Sequence, residues 1–210
     1  MSVASLSKFT VPLATNQSAA TQGMLMPKLK YRFRVTFTNF GVGGGTEEMT
    51  KQVISAARPN VSFANQVIEV YNSKVNYAGK HTWNTMAISL RDDATGNVSF
   101  KVAQQLQKQF DFFEQSSAAS AADYKFQMQV EILDGGNGAD GTGNVLETWE
   151  CYGCYLETVN YQTLGYADQG PVQIDLTIRP DNCLQKPDGS GLGVDVVRTL
   201  GTMASAQSTV

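Results

Sequence analysis

Cys151 and Cys154 lie three positions apart, a spacing that first suggests a metal site or a redox-active thiol pair. Zinc sites and thioredoxin-like redox pairs use this spacing. A structural zinc ion needs four ligands, however, and Cys183 stands alone in the sequence while His81 is distant. A redox pair belongs at a strand-to-helix turn, whereas these cysteines interrupt a β-rich stretch. We therefore predict two buried thiols beside a strand bulge at Gly153, with no metal or redox site.

Residues suited to acid–base or nucleophilic catalysis are equally sparse. His81 is the single histidine among 210 residues, and its place beside a turn favours a surface or packing role. Asp92 and Asp93 are adjacent, so on a strand their side chains point to opposite faces and are better suited to starting a turn. The sequence contains no G-x-S-x-G nucleophile motif. It therefore predicts a protein that is not an enzyme.

The segment GGNGAD at residues 135–140 matches the start of a glycine-rich calcium repeat. Such repeats bind calcium by stacking several copies, and this sequence contains one, with Thr142 where an apolar residue should anchor the turn. A hairpin loop is the favoured interpretation. No glycine-rich phosphate cradle follows a strand and opens a helix. We expect no cofactor.

Composition excludes several function classes. The net charge of −3 argues against a protein that binds nucleic acid by neutralising phosphates. Charged residues make up 17% of the chain, against roughly 25% in typical soluble domains. Such neutral polar surfaces are often covered by copies of the same chain. No apolar run is long enough to cross a bilayer, and three cysteines do not form a disulfide framework.

The pattern of elements predicts a mainly β (α+β) fold, an antiparallel sandwich or barrel with one amphipathic helix. Apolar residues alternate with polar ones in TMAISLRDD, YKFQMQVEIL and PVQIDLTIRP, which is the strand period. Helical spacing replaces it in mid-chain, through Val98, Val102, Leu106, Phe110 and Phe113. We predict an N-terminal arm over residues 1–26, a β domain over 27–180 and a C-terminal extension over 181–210.

The order of these elements resembles the tail tube protein family of contractile-tailed bacteriophages. The resemblance is carried by MPKLKYRFRVTF, VISAARPNVSF, KVNYAGKHTW followed by MAISLRDD, the helix, ADYKFQMQVEIL, and the closing strands WECYGCYLETVNY and VQIDLTIRP. It covers about residues 27 to 180 and includes no catalytic motif.

This resemblance implies a structural virion protein. Its copies would form homohexameric rings that stack into the inner tail tube, inside a contractile sheath, and double-stranded DNA would pass through the lumen during genome ejection without specific binding. The implied partners are the sheath, the tape measure protein, the baseplate tube initiator and the tail terminator. The implied location is the virion tail, assembled in the cytoplasm of the host bacterium.

Two sets of residues are candidates for such a role. A lumen that lets DNA slide should be neutral or weakly acidic, because lysines and arginines would bind phosphates through counterion release. The candidates for a polar lumen or wall face are Gln127, Gln129, Glu131, Gln173, Asp175 and Thr177. The long β-branched segment 65–79 is the candidate inter-subunit element, with Val67, Val70, Tyr71, Val75 and Tyr77.

Three alternatives remain open at the level of sequence. The chain fits a tube initiator or terminator that forms a single ring, and it fits the tube of a related contractile injection or secretion machine. From another class of function, a β-sandwich carbohydrate-binding module would use Trp83, Trp149 or tyrosines to stack on sugars. Burial of these aromatic residues would argue against the module.

Overall fold

The computed structural model describes residues 27–43, 45–135, 144–186 and 192. The chain divides into two units, residues 1–32 and 33–210, and the described helices and strands all belong to the second. The predicted arm over residues 1–26 lies outside the described residues, as does most of the glycine-rich loop. In chain order the described elements are β1 (Phe33–Thr38), α1 (Glu47–Lys51), β2 (Val53–Ala56), β3 (Val61–Val70), β4 (Ser73–Trp83), β5 (Met86–Arg91), α2 (Asn97–Gln109), β6 (Phe110–Asp111), β7 (Ser116–Ser117), α3 (Ala121–Tyr124), β8 (Phe126–Leu133), β9 (Val145–Asn160), β10 (Gln173–Arg179) and β11 (Asn182–Lys186).

Seven antiparallel strands form two sheets that share the long strand β9. Sheet I contains β1, β8, the N-terminal half of β9, and β11. Sheet II contains the C-terminal half of β9, then β10, β5 and β2. The mainly β antiparallel fold predicted from the alternating segments is therefore confirmed.

The two sheets meet at a corner where β9 bends at Gly153. This glycine has a φ of +63°, in the left-handed region that favours glycine, and the register between β8 and β9 shifts beside it. Opposite it, the break between β10 and β11 allows the Asp181 amide to donate to the Tyr152 carbonyl oxygen over 3.0 Å. The predicted bulge at Gly153 is confirmed, and it turns one strand from sheet I into sheet II. Sheets I and II together with α2 are called the barrel below, and the bend at Gly153 is its corner.

The hydrophobic core consists of the inward-facing side chains of both sheets, one side of α2, Met49 of α1, Trp83 of β4 and the loop residue Phe40. Each fully buried apolar side chain contributes about 1.5–3 kcal/mol relative to an exposed one. The strand segments predicted from alternation supply much of this core: Met86, Ile88, Leu90, Phe126, Met128, Val130, Ile174, Leu176 and Ile178.

Helix α2 is shorter than its apolar spacing predicts. It buries Val98 and Val102, but it ends at Gln109 because Phe110 adopts an extended backbone. The carboxylate of Asp111 then accepts the amides of Phe113 and Glu114, which closes a turn. The prediction that Phe110 and Phe113 continue the buried face was therefore wrong, and the Phe113 side chain is exposed. The short helices α1 and α3 were not predicted.

Two glutamine amides join α2 to the loop after β1, to α3 and to β9. The buried Gln105 side chain accepts from the Gly41 amide over 2.9 Å and donates to the Tyr124 carbonyl oxygen over 2.6 Å. The Gln109 side chain accepts from the backbone amide of Leu156 and donates to the carbonyl oxygen of the same residue. Gln109 thus occupies one position on the edge of β9 where a further strand would otherwise pair.

Strands β3 and β4 form a separate two-stranded hairpin. At its base, Val61 pairs with Trp83, and Val61 packs against the core that includes Trp83. At its tip, Tyr71 and Asn72 form the turn, one residue earlier than the predicted Asn72–Ser73. Between base and tip the hairpin is almost entirely exposed.

Strand β11 lies beyond the predicted end of the β domain at residue 180. It pairs with β9 over Asn182–Lys186, and Cys183 is buried in the core. The pattern had failed to indicate this strand because it is five residues long and buries a single side chain. The predicted boundary therefore does not mark the end of the sheet.

Candidate assembly and channel surfaces

The β3–β4 hairpin has two chemically different faces. Directly paired residues share a face, so Ile68 lies beside Val75, and Gln66 beside Tyr77. Val70 follows on the same side. On the opposite face, the Lys74 ammonium lies 2.7 Å from the Glu69 carboxylate, and the Asn65 amide donates to Asn76 over 3.2 Å. These contacts define an apolar hairpin face (Ile68, Val70, Val75 and Tyr77) and a polar hairpin face.

The structure distributes the five predicted inter-subunit residues over this hairpin. Val70, Val75 and Tyr77 lie on the apolar hairpin face, Tyr71 is in the turn, and Val67 lies on the polar face. All five side chains are substantially exposed.

Ile68 was missed by the sequence-based set although it is half exposed at the centre of the apolar face. The turn position gives the signal that could have found it: once Val70 pairs with Ser73, Ile68 must pair with Val75.

An exposed apolar face on an isolated hairpin needs a cover. A two-stranded hairpin is marginally stable in water by itself, and contiguous exposed apolar surface marks an interaction site. At Gly79, a bulge changes the register beside the backbone of Ala64, whose carbonyl oxygen a Cβ at residue 79 would approach to 2.9 Å. This hairpin is therefore shaped for contact with something outside the described fold.

Sheet II carries a row of small polar residues on the face turned away from the core. Asn160, Asp175, Ser89 and Ser55 are cross-strand partners in succession, one from each of its four strands. The Ser89 hydroxyl donates to the Asp175 carboxylate over 2.6 Å, and the Gln162 amide donates to the same carboxylate. The next row includes Thr158, Thr177 and Ala87. The middle of this face is therefore small and polar, with Arg91 at one end and the Arg179–Glu157 ion pair at the other.

The six predicted lumen or wall residues divide between the two sheets. Gln173, Asp175 and Thr177 lie on β10 in sheet II, on the face opposite the core. Gln127, Gln129 and Glu131 lie on β8 in sheet I, and alternation likewise turns them away from the core.

The Glu131 carboxylate is mostly covered. It accepts from the Arg34 guanidinium over 2.6 Å and from the Gln129 amide over 3.2 Å. Another ion pair, Lys186 with Glu150, lies on sheet I. The structure therefore presents two polar surfaces. Sheet I carries ion pairs, and sheet II carries small hydroxyl and amide side chains with Arg91 and the Arg179–Glu157 ion pair at its ends.

The outer strands of sheet II have unpaired sides. Among the described residues, no strand pairs with the outer side of β2 or with the outer side of residues 155–160 of β9. On β2, Ile54 and Ser55 are exposed. Gln109 occupies the Leu156 position of the second edge. The remaining positions of the two edges allow the sheet to continue into neighbouring molecules.

The residues first considered for chemistry have structural contacts. His81 packs its ring 6.3 Å from that of Phe63 on the hairpin. Asp93 accepts from the Thr95 hydroxyl and from nearby backbone amides, which lowers the pKa of its carboxyl and forms the predicted turn. In the described part of the chain, no group of three or more histidine, cysteine or acidic side chains is arranged to hold a metal ion.

The three cysteines are all buried, and one expectation about them was wrong. Cys151 and Cys154 flank the bulge as predicted, but Cys183 does not stand apart, because it lies directly opposite Cys151 on β11. Burial is the largest cause that raises the pKa of the Cys154 thiol to about 12. The pKa of Cys151 is raised as well, chiefly by a hydrogen bond with Cys183 and then by burial.

Both tryptophan side chains are buried. The Trp83 indole donates to the Asn182 side chain over 3.2 Å, and the Trp149 indole donates to the buried Glu147 carboxylate over 2.6 Å. Glu147, which the sequence had not indicated, also accepts from the Gln185 amide over 2.8 Å. Indole rings held in this way are not available to stack on a sugar.

Comparisons with known proteins identify the fold. No protein-family model matches the sequence, and no curated protein matches it significantly. A chain from the anti-feeding prophage cap (the AFP tube terminating cap) is similar with a TM-score of 0.59 and 13% identity, covering 82% of this chain and 99% of that one. A chain from the PVC extracellular contractile injection system, sheath–tube complex in the extended state, has a TM-score of 0.55 and 10% identity over 77% and 92%.

A further similarity is to a chain of the PVC sheath/tube terminator in the extended state, with a TM-score of 0.55 and 10% identity over 78% and 99% of the two chains. At these identities the similarity shows the fold alone. The chain therefore has the fold of components of contractile injection machines, and the tail-tube-like architecture expected from the sequence is confirmed. None of the described helices is long and apolar enough to span a bilayer.

Proposed function

We propose that this chain is a structural subunit of the inner tube of a contractile tail, in which homohexameric rings stack to form a conduit. The observation that carries the proposal is the combination, on a tube-like fold, of an open-edged sheet with a neutral polar face and a hairpin with an uncovered apolar face. In a single copy the strand edges lack pairing partners and the apolar hairpin face lacks a cover, and further copies can supply both.

The open edges of sheet II supply the ring contact in this proposal. β2 of one copy would pair with β9 of the next beyond Leu156, whose backbone groups are bonded to Gln109, so that identical heterologous contacts close into a ring. The apolar hairpin face would then lie on a neighbouring copy, with Ile68 and Val75 at its centre. Covering these side chains contributes favourable free energy that the free subunit lacks.

Sheet II would line the lumen. Its central rows of serine, threonine, asparagine and a hydrogen-bonded Asp175 carry no cation. The two arginines at the ends of this face are held within the subunit, Arg91 by the Gln52 side chain and Arg179 by the Glu157 carboxylate, so DNA would pass without being held. The ion-paired outer face of sheet I, with Gln127, Gln129 and Glu131, would belong to the outer wall. Sheath, tape measure, tube initiator and terminator would be the partners, and the virion tail, assembled in the bacterial cytoplasm, would be the location.

Assembly of the purified chain tests the proposal. Sedimentation and negative-stain microscopy should show hexameric rings or tubes. A double variant of the apolar hairpin face, Ile68→Glu with Val75→Lys, should stay monomeric at unchanged thermal stability because both side chains are already exposed and the two new charges are opposite. The matched control, Glu69→Gln with Lys74→Gln on the polar hairpin face, should still assemble.

Two outcomes would contradict this account. A monodisperse monomer at high concentration, even with baseplate complexes as nuclei, would exclude a tube or ring subunit. Rings formed equally well by the Ile68 and Val75 double variant would exclude the hairpin as the contact.

The lumen assignment has a separate test in assembled tails. Asp175→Lys should slow DNA ejection, since an added cation in the channel wall would bind phosphates. Glu131→Gln on sheet I, the control, should leave ejection unchanged. Unchanged ejection by the Asp175 variant would place that residue outside the lumen.

Single-ring function is the nearest alternative, because a chain of a tube terminating cap and a chain of a sheath/tube terminator share this fold. Rings that never stack in the assembly experiment would favour a terminator or initiator. A tube of a non-viral injection or secretion machine would assemble in the same way and differ in cargo. The carbohydrate-binding alternative has lost its main support, since Trp83 and Trp149 are buried.

A further inference from the structure

Cys151 and Cys183 face each other across two paired strands at the corner of the barrel. They are direct partners in the register of β9 and β11, and both are almost completely buried. Strand pairing therefore places two buried thiols from distant parts of the chain directly opposite each other.

The hydrogen-bond pattern indicates which kind of strand pair they occupy. The Gln185 amide donates to the Leu192 carbonyl oxygen, so it points away from β9. Gln185 and Trp149 are consequently a pair without mutual backbone hydrogen bonds, and the pair two residues along, Cys183 and Cys151, is of the same type. In such pairs the Cα atoms are about 4.5 Å apart, which lies within the range that disulfides span.

We propose that Cys151 and Cys183 are a site of oxidative cross-linking, where a disulfide forms between β9 and β11 and fixes the corner of the folded subunit. The oxidant is a small-molecule disulfide. One cysteine thiolate attacks it, forms a mixed disulfide and releases the first thiol, and the second cysteine thiolate then displaces the other half. Two protein S–H groups are converted to one S–S bond, and the oxidant is reduced to two thiols.

Cys154 is the competing partner, and the fold disfavours it. It lies on the same strand as Cys151, on the other side of the bulge, and its thiol donates to the Cys151 carbonyl oxygen over 3.4 Å. A bond between these two would close a small ring across the bend at Gly153, whereas Cys183 is already opposite Cys151.

Access to this site depends on β11. In the described residues β11 has β9 as its single strand partner, and its ion pair from Lys186 to Glu150 is at the surface. Local opening of such an edge strand exposes Cys183 without unfolding the two sheets. Oxidation should therefore be slow in the native protein and faster when β11 opens.

The position of the link gives it a structural consequence. The covalent loop from Cys151 to Cys183 would contain the bend at Gly153, β10 and the turn at Asp181. Closing this loop removes conformational freedom from the unfolded chain. A subunit made in a reducing cytoplasm would thus become more stable after it reaches an oxidising environment, independently of any role in a tube.

The test uses the reduced full-length protein, incubated with glutathione disulfide at neutral pH in sub-denaturing urea. Glutamyl endopeptidase cleaves after Glu150 and Glu157, which releases a peptide that contains both Cys151 and Cys154. We expect mass spectrometry to find this peptide joined to the peptide that contains Cys183. The oxidised protein should melt about 5–10 °C higher than the reduced one.

Two variants assign the bond. Cys154→Ser, the matched control, should retain the link, and Cys183→Ser should lose it. The proposal is overturned if the wild-type link joins Cys151 to Cys154, if Cys154→Ser abolishes the link to Cys183, or if all three thiols stay reduced until the protein unfolds globally. An oxidised protein that melts at or below the reduced midpoint would also contradict it.

Discussion

The barrel and the β3–β4 hairpin are built from strands of similar composition, yet they differ in how their apolar side chains are covered. Ile88 on β5 is 0% exposed in the barrel, whereas Ile68 on β3 is 52% exposed on the hairpin. The barrel covers its apolar side chains with two sheets and a helix. The hairpin satisfies its backbone hydrogen bonds but leaves one apolar face open, and our proposal assigns assembly to that face.

Matched isoleucine truncations should produce the largest contrast between the two regions. Ile88→Ala should lower the free energy of unfolding by about 2–5 kcal/mol, because it opens a cavity in the core. Ile68→Ala should change the stability of the monomer by less than about 0.5 kcal/mol. Denaturant unfolding of the monomer measures both. Similar losses at the two positions would show that the hairpin face is already covered within one copy.

A substitution at the corner of the barrel should lower the free energy of unfolding by less than a substitution in the core, but by more than one in an ordinary turn. Gly153→Ala places a side chain at a φ of +63°, which costs roughly 1–2 kcal/mol, and its Cβ would lie 2.8 Å from the Asp181 carboxyl carbon. Gly96→Ala is the control, since its φ is +68° but its Cβ would meet nothing closer than 3.6 Å.

Thermal or denaturant unfolding should therefore show a larger loss of stability at Gly153 than at Gly96. Equal losses would mean that the close approach of Asp181 adds nothing to the corner.

The smallest expected effect is on the loss of folding stability at acidic pH. Hydrogen bonds from Lys186 and Tyr152 lower the pKa of the Glu150 carboxyl in the folded state. A lowered folded-state pKa stabilises the protein above the unfolded-state pKa, and this contribution is lost as the pH falls through the folded-state value. Glu150→Gln should reduce the acid-induced loss of stability in that window.

Urea unfolding at a series of acidic pH values measures this difference. Glu69→Gln, which removes an ion pair whose two side chains are both exposed, is the control for the loss of a surface carboxylate. The interpretation of the Glu150 ion pair fails if the two variants behave alike.

Local periodicity was enough to predict the strands whose side chains alternate between core and surface. Alternation identified the inward residues of β5, β8 and β10 because each strand buries one face. The end of α2 was missed, since Phe110 and Phe113 keep helical spacing although the backbone leaves the helix at Gln109. Where the chain departs from the helix depends on the Asp111 turn, which periodicity does not reveal.

The surfaces were harder to predict because they depend on pairing register. Alternation indicated polar faces on β8 and β10, but the bend at Gly153 decides that they belong to different sheets. The hairpin set included Val67 and omitted Ile68 because a face is defined by cross-strand partners. Cys183 was assigned to an extension, since the partner that buries it, Cys151, is distant in sequence.

A cryo-electron microscopy map of the assembled protein would show directly what covers the hairpin. We expect hexameric rings in which Ile68 and Val75 are buried against another copy while the fold of each barrel is unchanged. A map in which the apolar hairpin face points into solvent, or in which the assembly is held by other surfaces, would contradict this expectation.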